Sequence, residues 1–153
     1  MPKKEINNYI FYKIVCISDD IDLCYIGSTA NWKARNHSHK NNCNNENSCE
    51  YNSKLYKTIR DNGGWCNFKM IEVGKKEQLT KRQSEQTEEE YRIQLKATMN
   101  TRRCFRTEEQ KQKYSDDNRA KVNCECGCES SKANLLRHKK TKKHIELMSS
   151  IKT

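Results

Sequence analysis

The sequence predicts a mixed α/β (α+β) fold: a small antiparallel three-stranded sheet flanked by helices, followed by a compact C-terminal module. Three observations predict it. Two short apolar runs, Tyr9–Cys16 and Leu23–Ile26, flank the acidic, turn-prone Ser18-Asp19-Asp20-Ile21-Asp22, the pattern of a hairpin. A later run, Trp65–Glu72, is bounded upstream by Asp61-Asn62-Gly63-Gly64 and supplies a third strand. Beyond residue 120, cysteines and histidines recur at spacings that suit a bound metal.

The elements follow in order. Gly27 interrupts the second strand, and Ser28, Thr29 and Asn31 carry helix N-cap chemistry. On the helix they open, Arg35 and His39 stand at i and i+4 and share one face. Tyr12 and Tyr25 lie near the strand ends ahead of that face. A phenol, a guanidinium and an imidazole on one patch suit an anion whose chemistry moves a proton. Residues 40–53 are rich in asparagine and serine and predict a flexible surface loop; Cys43 and Cys49, downstream of His37, read as its exposed thiols. Tyr51–Arg60 has helical spacing at Leu55, Tyr56 and Ile59, with left-handed turn residues after it. Glu77–Leu95 reads as a charged helix.

Bulk composition narrows the function. Hydrophobic residues make up 33% of the 153, so the core is small. The net charge is +10, and residues 101–153 hold 14 Lys and Arg against 7 Asp and Glu. A basic tail of that density points to nucleic acid as partner. No run of 18 apolar residues exists to span a membrane, and the N-terminal stretch lacks a signal-peptide apolar region, so an intracellular protein is expected. Nine cysteines cannot all pair, which favours metal ligation over a disulfide framework.

The motifs Ile10-Phe11-Tyr12-Lys13-Ile14 and Tyr25-Ile26-Gly27-Ser28-Thr29, with Arg35 eight and His39 twelve residues past Gly27, resemble the GIY-YIG endonuclease family. Ile10 stands where the family has glycine. The string Leu55-Tyr56, Ile59-Arg60, Asn62-Gly63-Gly64-Trp65 and Phe68 is similar to the same family's middle region, notably in its viral members. The resemblance implies a DNA endonuclease hydrolysing phosphodiester bonds over residues 1–103. It implies Tyr12 as the base, its phenol depressed by nearby cations, Tyr25 as an orienting group, Arg35 on the scissile phosphate and His39 on the base tyrosine. A glutamate holding one divalent ion, Mg2+ or Mn2+, is implied on the third helix. Within Thr87-Glu88-Glu89-Glu90-Tyr91-Arg92-Ile93-Gln94-Leu95, matching Ile93 selects Glu89, the preferred residue. Matching Tyr91 and Leu95 selects Glu88, which helix geometry favours. Asn100 resembles the family's asparagine after this helix.

The remainder divides into a polar linker helix over 104–120, opened by the capping box Thr107-Glu108-Glu109-Gln110, and a zinc-finger-like module over 121–149. There Cys124 and Cys126 form a knuckle, followed after eleven residues by His138 and after five more by His144, a tetrahedral Zn2+ set in which Cys128 could replace Cys124. Leu135, Leu136 and Ile145 would form its small core. Arg137, Lys139, Lys140, Lys142 and Lys143, with Lys33 in the first domain, are the candidate DNA contacts. Similar finger-like ends follow such nuclease domains in large DNA viruses. The alternatives are a catalytically inactive zinc-bearing nucleic-acid-binding protein and a structure-specific repair or recombination nuclease.

Overall fold

The computed structural model describes residues 5–18 and 20–151 of the chain; Asp19, inside the expected turn, lies outside the described residues. Two compact units form, Met1–Phe105 and Arg106–Thr153.

The first unit is built on a three-stranded antiparallel sheet, flanked by helices, with strand order β2-β1-β3. β1 spans Ile6–Cys16, β2 Cys24–Thr29 and β3 Phe68–Thr80. Period-2 alternation puts Phe11 and Tyr12 on opposite faces of the central strand, and both are fully buried. Phe11 packs against Tyr91, with ring centroids 5.4 Å apart. Tyr12 and Ile14 join Cys43, Leu55, Tyr56, Ile59, Phe68 and Met99 in the main core. Ile10 pairs in register with Thr29 and Lys75 and is half-buried, so the ladder accommodates its side chain.

Three helices complete this unit: α1 (Trp32–Asn44), α2 (Lys54–Asp61) and α3 (Lys81–Gln94). Asn31 caps α1, its side chain accepting from the Ala34 N–H at 3.0 Å. α1 runs further than its polar sequence suggests. Cys43, expected as an exposed loop thiol, is fully buried in the core, while Cys49 is exposed as expected. β3 is also longer than Trp65–Glu72: a 3-10 turn occupies Trp65–Asn67, and the strand then continues to Thr80. Its polar outer half pairs with the start of β1, and the Asn8 side chain accepts from the Gln78 N–H at a positive-φ irregularity. The helix expected from Glu77 therefore starts at Lys81, where Thr80 and Gln83 form a capping box.

In the second unit α4 (Glu108–Arg119) starts at the capping box of Thr107 and Gln110 and is solvated along its length. β4 (Lys121–Asn123) and β5 (Glu129–Ser131) form a hairpin, followed by α5 (Leu135–His138) and α6 (Lys142–Ile151). The core expected there is corrected: Leu136 and Ile145 are 78% and 56% exposed, and only Leu135 of the three is half-buried. No helix among the described residues is long and apolar enough to cross a membrane.

Gly27 pairs with Tyr12 across the β1–β2 ladder, and a Cβ on it would lie 2.5 Å from Cζ of that fixed phenol. Gly27→Ala should therefore destabilise the first unit by ~1–3 kcal/mol through overpacking. Urea unfolding followed by tryptophan fluorescence checks this, since Trp32 and Trp65 both lie in that unit.

Candidate functional site: a buried tyrosine, a polar cleft and a Cys/His cluster

Arg35 and His39, one turn apart on α1, both meet the hydroxyl of Tyr12. Arg35 Nε donates to Tyr12 Oη at 2.9 Å, and His39 Nε2 lies 2.8 Å from the same oxygen. His39 Nδ1 lies 2.9 Å from Tyr56 Oη on α2. The His39 ring stacks on Trp65 at 5.9 Å and meets Tyr25 edge-on at 5.9 Å. The i, i+4 face expected of Arg35 and His39 thus closes on Tyr12, at the middle of β1.

Burial governs the protonation of this group. It pushes the Tyr12 phenol up to about 12, against the opposing pull of Arg35. The expected depression of Tyr12 by nearby cations is corrected accordingly: one guanidinium does not offset full desolvation. Burial likewise raises Tyr25 and Tyr56. His39 falls to about 3, because burial and then the Arg35 charge disfavour an imidazolium. The cluster is three neutral phenols around a neutral imidazole, with Arg35 as its cation.

A cleft of about 620 Å3 opens in front of this cluster. Tyr25, Arg35, Tyr56, Glu88 and Asn100 line it, whereas Tyr12 and His39 stand behind, with Arg35 on the Tyr12 hydroxyl. Of the two glutamates considered, Glu88 faces the cleft. Ser28 Oγ donates to its Oε2 at 2.5 Å and the Cys104 thiol to its Oε1 at 2.8 Å. Burial and that carboxylate keep Cys104 protonated by raising its pKa. Glu89, the residue preferred from sequence, is corrected. Arg92 clamps it through Nε at 2.9 Å and Nη2 at 2.7 Å, and the Cys104 N–H donates to it at 3.0 Å. Those bonds, with the Arg92 contact first, hold its carboxyl below the usual range. Glu89 is not among the residues lining the cleft. The packing of this helix agrees: Tyr91, three residues past Glu88, packs inward on Phe11, whereas Ile93 is 63% exposed.

Asn100 also lines the cleft, but both ends of its amide are engaged by Ile26, accepting from the N–H and donating to the C=O at 2.9 Å each. These bonds position β2. Ser28, Cys104 and Tyr56 were not identified from sequence as parts of this site. The Tyr56 periodicity marked it only as core, and nothing in the local pattern connects Cys104 to Glu88 sixteen residues earlier. Lys33 is exposed in the first turn of α1.

In the second unit Cys124, Cys126, His138 and His144 bring one donor atom each within 4.8 Å of one another. Cys124 Sγ lies 3.5 Å from His144 Nδ1, and Cys126 Sγ 3.2 Å from His138 Nε2. Ligand bonds of about 2.0–2.3 Å at tetrahedral angles place a sulfur and a nitrogen roughly 3.5 Å apart, so the four can hold a metal ion. Cys128 is not in the cluster; its carbonyl accepts from the Cys124 N–H and closes the knuckle. Of the basic residues nearby, Arg137, Lys140, Lys142 and Lys143 are exposed, while Lys139 is ion-paired with Glu125.

Comparison with known protein families, with curated proteins and with solved structures gave no match in any of the three.

Because the His39 pKa falls from 6.5 to about 3 on folding, stability is fully present above pH 6.5 and is lost as pH falls toward 3. The loss attributable to this ring is on the order of 4–5 kcal/mol. Urea midpoints from tryptophan fluorescence should drop steeply from pH 7 to 4, and His39→Gln should flatten that dependence.

Proposed function

We propose that the chain is a metal-dependent DNA endonuclease of GIY-YIG type that hydrolyses phosphodiester bonds. A zinc-binding second unit would serve as its DNA anchor. The observation that supports this most is the single cleft into which Arg35, Tyr25 and Glu88 all face, with Tyr12 and His39 hydrogen-bonded behind Arg35.

The residues divide the chemistry between them. Arg35 binds the scissile phosphate by charge-assisted hydrogen bonds. Drawing the guanidinium toward that phosphate uncovers the Tyr12 hydroxyl, which takes the proton of the attacking water and passes its own to His39. Tyr25, at the cleft wall, orients water or phosphate. Glu88 would hold a divalent cation, Mg2+ or Mn2+, whose charge offsets that gained in the pentavalent transition state. The Glu88 carboxylate, in a polar cleft and already accepting from Ser28 and Cys104, suits a hard cation that keeps most of its waters. A rival reading, a nucleic-acid-binding module without catalysis, draws support from the complete burial of Tyr12. The same assay separates the two.

In plasmid nicking with Mg2+, Arg35→Ala and Glu88→Gln are each expected to lower the rate ~10²–10³-fold. Glu89→Gln should stay within a few-fold of wild type, with folding verified by thermal melt. A wild type that binds DNA and nicks none of it supports the rival.

For the second unit, zinc is the metal that a two-thiol, two-imidazole set takes. Freshly purified, reduced protein should hold one equivalent, and a chelator should unfold this unit, since apparent binding worth ~10–16 kcal/mol drives the folding of such modules. Cys126→Ser should abolish the zinc and Cys128→Ser retain it, as read by metal analysis.

A further inference from the structure

We infer that Tyr56 is the positioning residue that fixes the tautomer of His39 and carries the proton arriving from Tyr12 out to the cleft. The inference rests on the hydrolytic reading above and adds to it a residue on α2.

The hydrogen bonds carry the argument. Arg35 can only donate, so Tyr12 Oη accepts from it and directs its own proton to the other partner, His39 Nε2. A neutral imidazole that accepts at Nε2 carries its proton on Nδ1, which then donates to Tyr56 Oη, 2.9 Å away. Ser48 Oγ donates to Asn42 Oδ1 at 2.9 Å and so turns the amide nitrogen of Asn42 to Tyr56 Oη at 3.3 Å. Tyr56 therefore accepts twice, and its own hydroxyl proton remains free to point toward the cleft that Tyr56 lines. The row Tyr12–His39–Tyr56 has one direction of donation along its whole length.

That direction solves a problem of charge. A proton left on His39 would be an imidazolium buried beside Arg35, which the ring resists. In the relay, the attacking water forms its bond to phosphorus and gives a proton to Tyr12 Oη. The Tyr12 proton moves to His39 Nε2, the Nδ1 proton to Tyr56 Oη, and the Tyr56 proton to a water in the cleft. The bond from phosphorus to the leaving oxygen breaks with its electron pair, and that oxygen takes a proton from solvent. Tyr12, His39 and Tyr56 all end neutral. Arg35 is the charged side chain facing His39, and Tyr12, Tyr25 and Tyr56 are the other titratable groups around it.

Long-range proton–nitrogen NMR on the intact, zinc-loaded protein reads the tautomer directly, and His39 is expected to carry its proton on Nδ1. Tyr56→Phe should lower kcat about tenfold to a hundredfold with KM unchanged. Its proton inventory in H2O/D2O mixtures should turn from curved to linear, which a loss of packing alone does not produce. Should Tyr56→Phe not fold, fluorotyrosine at position 56 keeps the ring and should shift both the His39 Nδ1 resonance and the isotope effect. A proton on Nε2 in the wild type overturns the inference, as does a folded Tyr56→Phe with wild-type kcat and inventory. A wild type that cleaves nothing in Mg2+ or Mn2+ overturns the hydrolytic reading and the relay together. The tautomer measurement still decides the hydrogen-bonding half in that case.

Discussion

The hydroxyl of Tyr12 is the constraint on which the first unit depends. It sits on the central strand with no contact with solvent, and a buried hydroxyl must find partners or cost about 1–3 kcal/mol. Its partners, Arg35 and His39, are one turn apart on α1, so satisfying one oxygen sets how that helix is rotated against the sheet. The ring needs room below it, which restricts position 27 to glycine on the neighbouring strand. A second close approach, Tyr91 over Gly74, anchors α3 on the opposite face. Strand pairing, helix rotation and the two glycines thus follow from placing bulky phenols on both sides of a narrow sheet.

The same burial sets the electrostatics of the cleft. Phenols raised and an imidazole lowered leave Arg35 as the fixed positive group at the back wall. Glu88 lines the same cleft, as do Glu50, Glu85, Lys54, Lys81, Arg102 and Arg103.

Much of this was legible in the sequence, and the exceptions share a cause. The three-stranded sheet, the N-cap at Asn31 and the capping box at Thr107 follow from local pattern and turn chemistry. So do the i, i+4 face of Arg35 and His39 and the C-terminal Cys/His set. Cys43 and the outer half of β3 were misread because their surroundings are polar. Helix continuation and strand length there are decided by partners far along the chain. Glu88 and Glu89 differ by one residue, hence by about 100° around a helix. Only the contact of Tyr91 with Phe11 tells which of them turns to the cleft. Similarly, apolar residues in the second unit suggested a core, whereas a unit of this size built around a Cys/His cluster leaves Leu136 and Ile145 outside.

The segment after α3 has a consequence for how copies of this chain meet. β2 ends the sheet on one side, and a strand in that position presents unpaired backbone groups that can recruit another chain. Here Thr98 accepts from the Cys24 N–H, the Met99 N–H donates to the Cys24 carbonyl, and Asn100 takes both polar groups of Ile26. Two side chains and one peptide group thereby stand in for a fourth strand without offering a ladder of their own. Over residues 24–26 the β2 edge is thus closed to strand addition, so another chain cannot pair with the sheet along that stretch.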